Sequence, residues 1–530
     1  MGFTSIYFII FLFALFLVYF LFFPKKHNWI VLLIFSVVFF VLISWKSIFF
    51  ILFSSVSIYL FSRAITKNKE KEKWFLEQNP EITSDEKKLL KKKNKRSRKT
   101  LLILGILSVL IVLIVMKYLD FLLGNVSTIF GWFGANLGIQ RLNLFLPLGI
   151  SFYTFQSIGY ITDVYWGKYE AENNIFKFFL FMSFFPKIMQ GPIIRYNEIK
   201  ESLFAPHEFD YDNFTDGLKR MLWGYFKKMV IADCLVVFTT YCFANPMEIG
   251  GMEALLTVIC FFIYDYCDFS GYMDIACGVS TCLGVKLPEN FNHPYFALGI
   301  DDYWRRWHMT LGTWFKDYVF YPLSLSKFSL FLGKKSKKLF GKNASKVPAI
   351  FGLIVVWFLT GLWHGASWNY IAWGLYFGFI IILSIIFEPL ISLFYSKTKI
   401  DKDKGFWRVI RHIKTLLLLA FGKILFETNS IGGAFEFIGR IFTAENFLDI
   451  NAIIGHIGVP SLVVALVMSI AVLVVDIIQE KRPETTFIQK TKNAPLWVQW
   501  LMLGLLIVAI VWFGYYGEGL PKFQFGYMGF

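Results

Sequence analysis

Apolar residues in this chain run in long uncharged stretches, broken by short polar segments that are mostly basic. The stretches cover 2–24, 28–45, 47–62, 100–116, 142–162, 457–475 and 494–517, and the longest, 347–387, has 41 residues. A transmembrane helix needs roughly 17–25 mostly apolar residues. Most of these runs predict one span each, and the longest predicts two. They are too long and too uniformly apolar for outer-membrane strands, which alternate at every residue. The pattern therefore predicts an all-α polytopic membrane protein. From 175 to 321 it changes, with short apolar runs at 178–186, 254–264 and 275–285. Lys187, Arg195, Asp265, Asp268, Asp274, Glu289, Arg305, Arg306 and Lys316 fall between them. Charge and irregular backbone at membrane depth persist only where they face protein or a wet cavity. Function is expected in this region together with the 347–387 run.

Composition supports the membrane reading. Of 530 residues 56% are apolar and 17% charged, and 62 are phenylalanine. A soluble globule averages about 25% charged. Disorder, collagen-like fibres and small disulfide scaffolds are excluded. All six cysteines lie between Cys234 and Cys282, without a C-x-x-C pair and among apolar neighbours, so buried free thiols are expected.

Half of the +16 net charge is concentrated in 63–99, which holds 14 Lys/Arg and 6 Asp/Glu, and 327–346 adds seven lysines without an acid. Between apolar spans, such runs read as cytoplasmic loops beside anionic lipid, not as nucleic-acid sites. Lys25 and Lys26 after the first span, the 63–99 loop, and Lys481, Arg482, Lys490 and Lys492 before the last one together put 63–99 in the cytoplasm and both termini outside. The first span lacks a basic n-region and a clear cleavage site, so it reads as a retained helix. Ser84-Asp85-Glu86 is expected to cap a short helix ending near Lys95. The expected organisation is N-terminal spans at 1–62, the basic loop 63–99, a core at 100–400, and C-terminal spans at 401–530.

Of the seven histidines, His27, His207, His412 and His456 read as loop or interfacial residues, and His293 lies in an Asn-His-Pro turn. His308 follows Asp301-Asp-Tyr-Trp-Arg-Arg-Trp. Read as a helix, this segment puts Trp304, His308, Leu311 and Phe315 on one aromatic face turned into the protein. A core histidine bonded to a carbonyl and a functional one remain equally open. His364 is the only histidine or charged residue in the 41-residue run, beside the small residues Gly361, Gly365, Ala366 and Ser367, where another chain or a ligand can approach closely. An ionisable group in a membrane segment is a functional hypothesis by default. The two histidines lie too far apart in sequence for an H-x-x-x-H metal motif, so no metal is expected. Asp265, Asp268 and Asp274 read as partners of Arg305, Arg306 or Arg195. The chain has no nucleophile elbow, Walker loop or dinucleotide glycine pattern.

Five stretches together resemble the bacterial branch of the membrane-bound O-acyltransferase family, and most of all its alginate-acetylating subgroup. They are PLGISFYTFQSIGYITDVYW at 147–166, FFPKIMQGPIIRY at 184–196, DFSGYMDIA at 268–276, DYWRRWHMTLGTWFKDYVFYPL at 302–323 and FLTGLWHGASWNYIAWGLYFGF at 358–379. The 516–530 tail is similar to the end of that subgroup but finishes differently. The resemblance implies a helical bundle with a thinned centre crossed by a tunnel. It implies transfer of an acyl group, acetyl first, from a cytoplasmic thioester such as acetyl-CoA toward hydroxyls of an exopolysaccharide or cell-wall polymer, with no bound cofactor and with an extracytoplasmic acyltransferase partner. His364 corresponds to the family's invariant histidine and His308 to the second of this branch. Trp363, Asn369, Arg305, Trp304 and Asp268 are the accompanying candidates for substrate contact. The alternatives are D-alanyl transfer from a carrier protein to teichoic acid, and a non-enzymatic polysaccharide channel.

Overall fold

The computed structural model describes residues 2–135, 137–428, 430–443, 459–482, 491–492 and 494–515. His456, Lys490 and the 516–530 tail lie outside them. Among the described residues the secondary structure is helical, with one isolated antiparallel bridge between Phe291 and Trp307. Eight described helices are long and apolar enough to cross a membrane, and Ile6–Phe22 is a shorter apolar one. This is a multi-pass membrane protein. It divides into two units, residues 1–214 with 280–287, and residues 215–279 with 288–530.

In the first unit, Ile150–Trp166 is the central helix, with 14 of its 17 residues buried. Ser47–Gln78 turns Ser47, Ser54, Ser55 and Ser62 inward and Phe49, Phe53 and Leu60 outward. Small residues inside and large apolar ones outside suit a helix packed against protein on one side and lipid on the other. The expected 142–162 span starts later, at Ile150. Pro147 and Gly149 (φ +70°) interrupt regular structure there. The freed amides of Leu142 and Asn143 donate to the Asp120 carboxylate at 2.8 and 3.0 Å, and that of Leu148 donates to Ser47 Oγ at 2.9 Å.

The basic stretch 63–99 is not a loop with a short helix. It is the polar ends of Ser47–Gln78 and Ser84–Leu113, joined by a five-residue turn. The cap is Thr83, whose hydroxyl accepts from Glu86 N while the Glu86 carboxylate accepts from Thr83 N, a reciprocal capping box. Lysine and arginine are good helix formers, so a capped helix runs through them into the apolar 100–113 segment. Arg98 and Glu72 pair at 3.0 Å with both side chains mostly buried, which fastens the two arms.

In the second unit, Gly251–Cys282 is one unbroken 32-residue helix where the sequence pattern showed two short runs. Its carboxylates do not break it because cations of the same unit meet them. Lys228 binds Asp268 and, at 2.7 Å, Asp233. Asp274 takes Lys227 at 2.6 Å and Arg220 at 3.0 Å, and Lys423 pairs with Asp265. The expected partners of these aspartates are engaged elsewhere: Arg305 binds Asp301, Arg306 binds Asp302 and Glu480, and Arg195 binds Glu198. The pairing follows from backbone approach. A Cβ on Gly271 would meet Gly224 O at 3.0 Å, and one on Gly278 would meet Gly217 O at 2.6 Å, so these glycines let Gly251–Cys282 lie against the Tyr211–Tyr225 helix that carries Arg220. All six cysteines are buried and none forms a disulfide.

The 41-residue run forms two helices, Val347–His364 and Trp368–Thr398, with a tight turn between them. Gly361 and Gly374 sit where these helices cross. A Cβ on either would strike the opposite backbone, Tyr370 O or Trp357 O.

Candidate functional site

The helix expected across 301–315 is broken at the histidine. Ile300–Arg306 ends, Trp307 is extended, His308 is left-handed (φ +46°), and Met309–Phe315 begins. The segment 290–292 straps this break. Asn292 N donates to Arg306 O at 2.9 Å and Met309 N donates to Asn290 O at 3.0 Å. A left-handed non-glycine residue costs about 1–3 kcal/mol and persists where surrounding bonds over-determine it. Here the strap does so. The shared face predicted from helical spacing is therefore not what buries His308, which is 2% exposed. Its ring instead lies edge-on to Phe269 (4.8 Å between centroids) and near Trp363 (5.7 Å).

Asn290 also sets the state of His308. His308 Nδ1 lies 3.2 Å from Asn290 Nδ2 and 3.3 Å from Asn290 Oδ1; because that oxygen already accepts from Thr310 N at 3.0 Å and Thr310 Oγ1 at 2.9 Å, Nδ2 is assigned as the donor to the ring. The proton of the neutral ring is thereby assigned to Nε2. His308 lies between the Gly251–Cys282 and Asn343–His364 spans. Burial pushes its imidazolium down to about 3, which keeps the ring neutral at physiological pH.

His364 is the last residue of Val347–His364 and is buried. The small residues beside it serve the chain's own turn, since Gly365 packs on the Tyr370 ring. Aromatic rings surround the imidazole, Trp373 at 4.8 Å, Trp363 at 4.9 Å and Phe426 at 5.2 Å. Trp363 thus lies between the two histidines, and His308, Trp363 and His364 form one continuous file of rings. Asn369 braces the file. Its Nδ2 donates to Thr428 O at 3.0 Å, which ties the start of Trp368–Thr398 to the end of Gly405–Glu427, where Phe426 sits.

Trp304 joins from the other side, touching Trp373 at 5.5 Å and Phe377 at 5.1 Å. These three rings, with Trp307 and Phe426, wall a narrow crevice, with enclosed room for about one water, that also exposes Asp265 and Lys423. Of the seven candidates from sequence, His308, Trp363, His364, Asn369 and Trp304 are thus brought together. Arg305 stays apart, 69% exposed on its salt bridge with Asp301. Asp268 faces Lys228, while its neighbour Phe269 packs on His308. Asn290, Trp373, Phe426 and Lys423 were missed. The first lies in a turn-like Asn-Phe-Asn-His-Pro string, and the others look like ordinary positions of apolar helices. His207 lies in a loop as expected, half-buried and 2.6 Å from Ser202 O, whereas His412 lies on the Gly405–Glu427 helix, 3.3 Å from Ala297 O.

The profile of the membrane-bound O-acyltransferase family matches residues 171–410, which include both histidines and the crevice walls apart from Leu419, Lys423 and Phe426. Among related proteins, a probable alginate O-acetylase of Azotobacter vinelandii is 31% identical over 327 residues, 62% of this chain and 60% of that protein. A peptidoglycan O-acetyltransferase of Helicobacter pylori is 34% identical over 295 residues, 51% of this chain and 52% of that one. A teichoic acid D-alanyltransferase of Bacillus subtilis is 34% identical over 290 residues, 54% of this chain and 69% of that one. The match spans about 60% of the length of the alginate relatives. Taken with the membrane helices and the paired histidine segments, these matches show that the chain belongs to the membrane-bound O-acyltransferase family.

Proposed function

We propose that this protein is an O-acyltransferase that passes an acyl group, acetyl first, from a cytoplasmic thioester toward hydroxyls of an exopolysaccharide or cell-wall polymer. The observation that carries this reading is the buried file His308–Trp363–His364 beside an aromatic crevice. A hydroxyl attacks a thioester poorly until its proton is removed, and an imidazole is suited to that near neutral pH. We assign His364 the base. His308, neutral and with its proton on Nε2, is suited to donate a hydrogen bond to the thioester carbonyl or to orient the site. Trp363, Trp304 and Asn369 shape and brace the crevice, whereas Asp268 and Arg305 are engaged in ion pairs. The donor, acetyl-CoA or another acyl thioester, is a substrate and not a resident cofactor. Labelled acetate appearing in polymer only when the intact protein is present supports the reading. Label that follows the protein as D-alanine instead favours the second reading, which the Bacillus subtilis relative supports.

Two further expectations belong to this reading. Short external loops offer little surface for gripping a large polymer, so an extracytoplasmic partner should complete the transfer. Purified protein alone should therefore acetylate polymer far more slowly than cells do, and equal rates would rule the partner out. The basic hairpin should lie in the cytoplasm, given its lysine excess. A Lys91→Cys variant in intact cells should resist an impermeant thiol reagent and react after permeabilisation. Reaction before permeabilisation reverses the topology.

A further inference from the structure

The crevice beside His364 contains one charged pair, and the division of roles between the two histidines leaves it unused. Asp265 and Lys423 are bound to each other with side chains only 13% and 12% exposed, on Gly251–Cys282 and Gly405–Glu427. Lys423 stands three residues before Phe426, one helical turn, and the Phe426 ring touches that of His364. Its ammonium lies 4.3 Å from the ring centroid of Trp307, the residue next to His308. An ammonium carries three donors, and Asp265 with the face of Trp307 holds it at the crevice wall. A buried charge in a membrane protein is costly and commonly marks a functional site.

Acyl transfer has a need that a neutral imidazole meets only in part. When the hydroxyl adds to the thioester, the carbonyl oxygen gains a full negative charge. We propose that Lys423 is a third catalytic residue of this protein, an electrophile whose ammonium stabilises that oxyanion from the crevice wall, with Asp265 as its positioning residue. The inference rests on the acyltransferase reading above. The acceptor oxygen bonds to the thioester carbon while its proton passes to His364, and the carbonyl pair moves onto oxygen opposite Lys423. On collapse that pair re-forms C=O and the C–S bond breaks. The thiolate then takes the proton from His364, and Lys423, pushed down to about 7 by burial but held charged by Asp265 and Glu427, keeps its protons throughout.

The test uses the full chain in cells, reading polymer-bound acyl group per unit of membrane-inserted protein. Removing one oxyanion donor typically costs about 10²–10³-fold. Lys423→Met should fall by that amount, while Lys423→Arg, which keeps the charge, should recover a measurable part. Because Lys423→Met also strands Asp265 and Glu427, which lies one helical turn on and interacts with the ammonium, the deciding variant is the triple Asp265→Asn/Lys423→Met/Glu427→Gln, which removes all three charges together. Continued loss in the triple variant supports the proposal. Recovery to wild-type activity overturns it, since the lysine would then serve only to neutralise the two carboxylates. An inactive His364→Ala beside a fully active Lys423→Met rejects the role of Lys423 alone, whereas an active His364→Ala rejects the acyltransferase reading itself.

Discussion

His364→Ala is expected to give a folded, membrane-inserted protein whose transfer has dropped by about 10²–10⁴-fold, the usual range for loss of a general base. Folding should survive because what shapes the chain at this point is not the imidazole. The helix crossing depends on Gly361 and Gly374, and the turn depends on Gly365 against Tyr370. His308 should respond differently. His308→Gln keeps a hydrogen-bonding group of similar reach and should retain measurable activity. His308→Ala should lose more, because Asn290 Nδ2 then loses the ring nitrogen it donates to. Acetyl on polymer per unit of inserted protein is the measure. Activity in His364→Gln together with its loss in His308→Gln means that the two roles must be exchanged.

Asp274→Ala is expected to cost stability instead of chemistry, by about 3–5 kcal/mol, as for a buried ion pair deprived of one partner. Asp274 neutralises both Lys227 and Arg220. Without it Lys227 keeps the Ser270 hydroxyl, at 2.8 Å, the face of Tyr266 and the nearby Asp476 carboxylate, while Arg220 keeps Glu289. Arg305→Ala is the contrast. Its exposed bridge to Asp301 should be worth no more than about 1 kcal/mol. Thermal unfolding of the two variants in detergent separates them, and an Asp274→Ala protein as stable as the parent would mean that the network does not hold the second unit together.

What the sequence determined by itself is the membrane class, most of the spans, the burial of the cysteines and the two histidines worth testing. Each of these depends on local composition. Uncharged length defines a span whatever packs beside it, and a lone histidine in 41 apolar residues stands out without coordinates. The family could also be read locally, because its motifs are contiguous strings around those histidines. Tertiary structure decided what depends on partners distant in sequence. The three aspartates of Gly251–Cys282 looked like interruptions until Lys228, Lys227, Arg220 and Lys423 met them. The 63–99 lysines looked like a loop because charge pattern reports solvent exposure, and a capped helix can be as exposed as a coil. His308 was placed on a helical face by its spacing, yet Asn290 and the Phe291–Trp307 bridge, 16 residues apart in sequence, break that helix and fix the ring. Trp373 lay inside one of the family strings without standing out, and Phe426 and Lys423 lay outside them. They become part of the site only because two glycine-lined helices cross and the Asn369–Thr428 hydrogen bond ties a third helix to them.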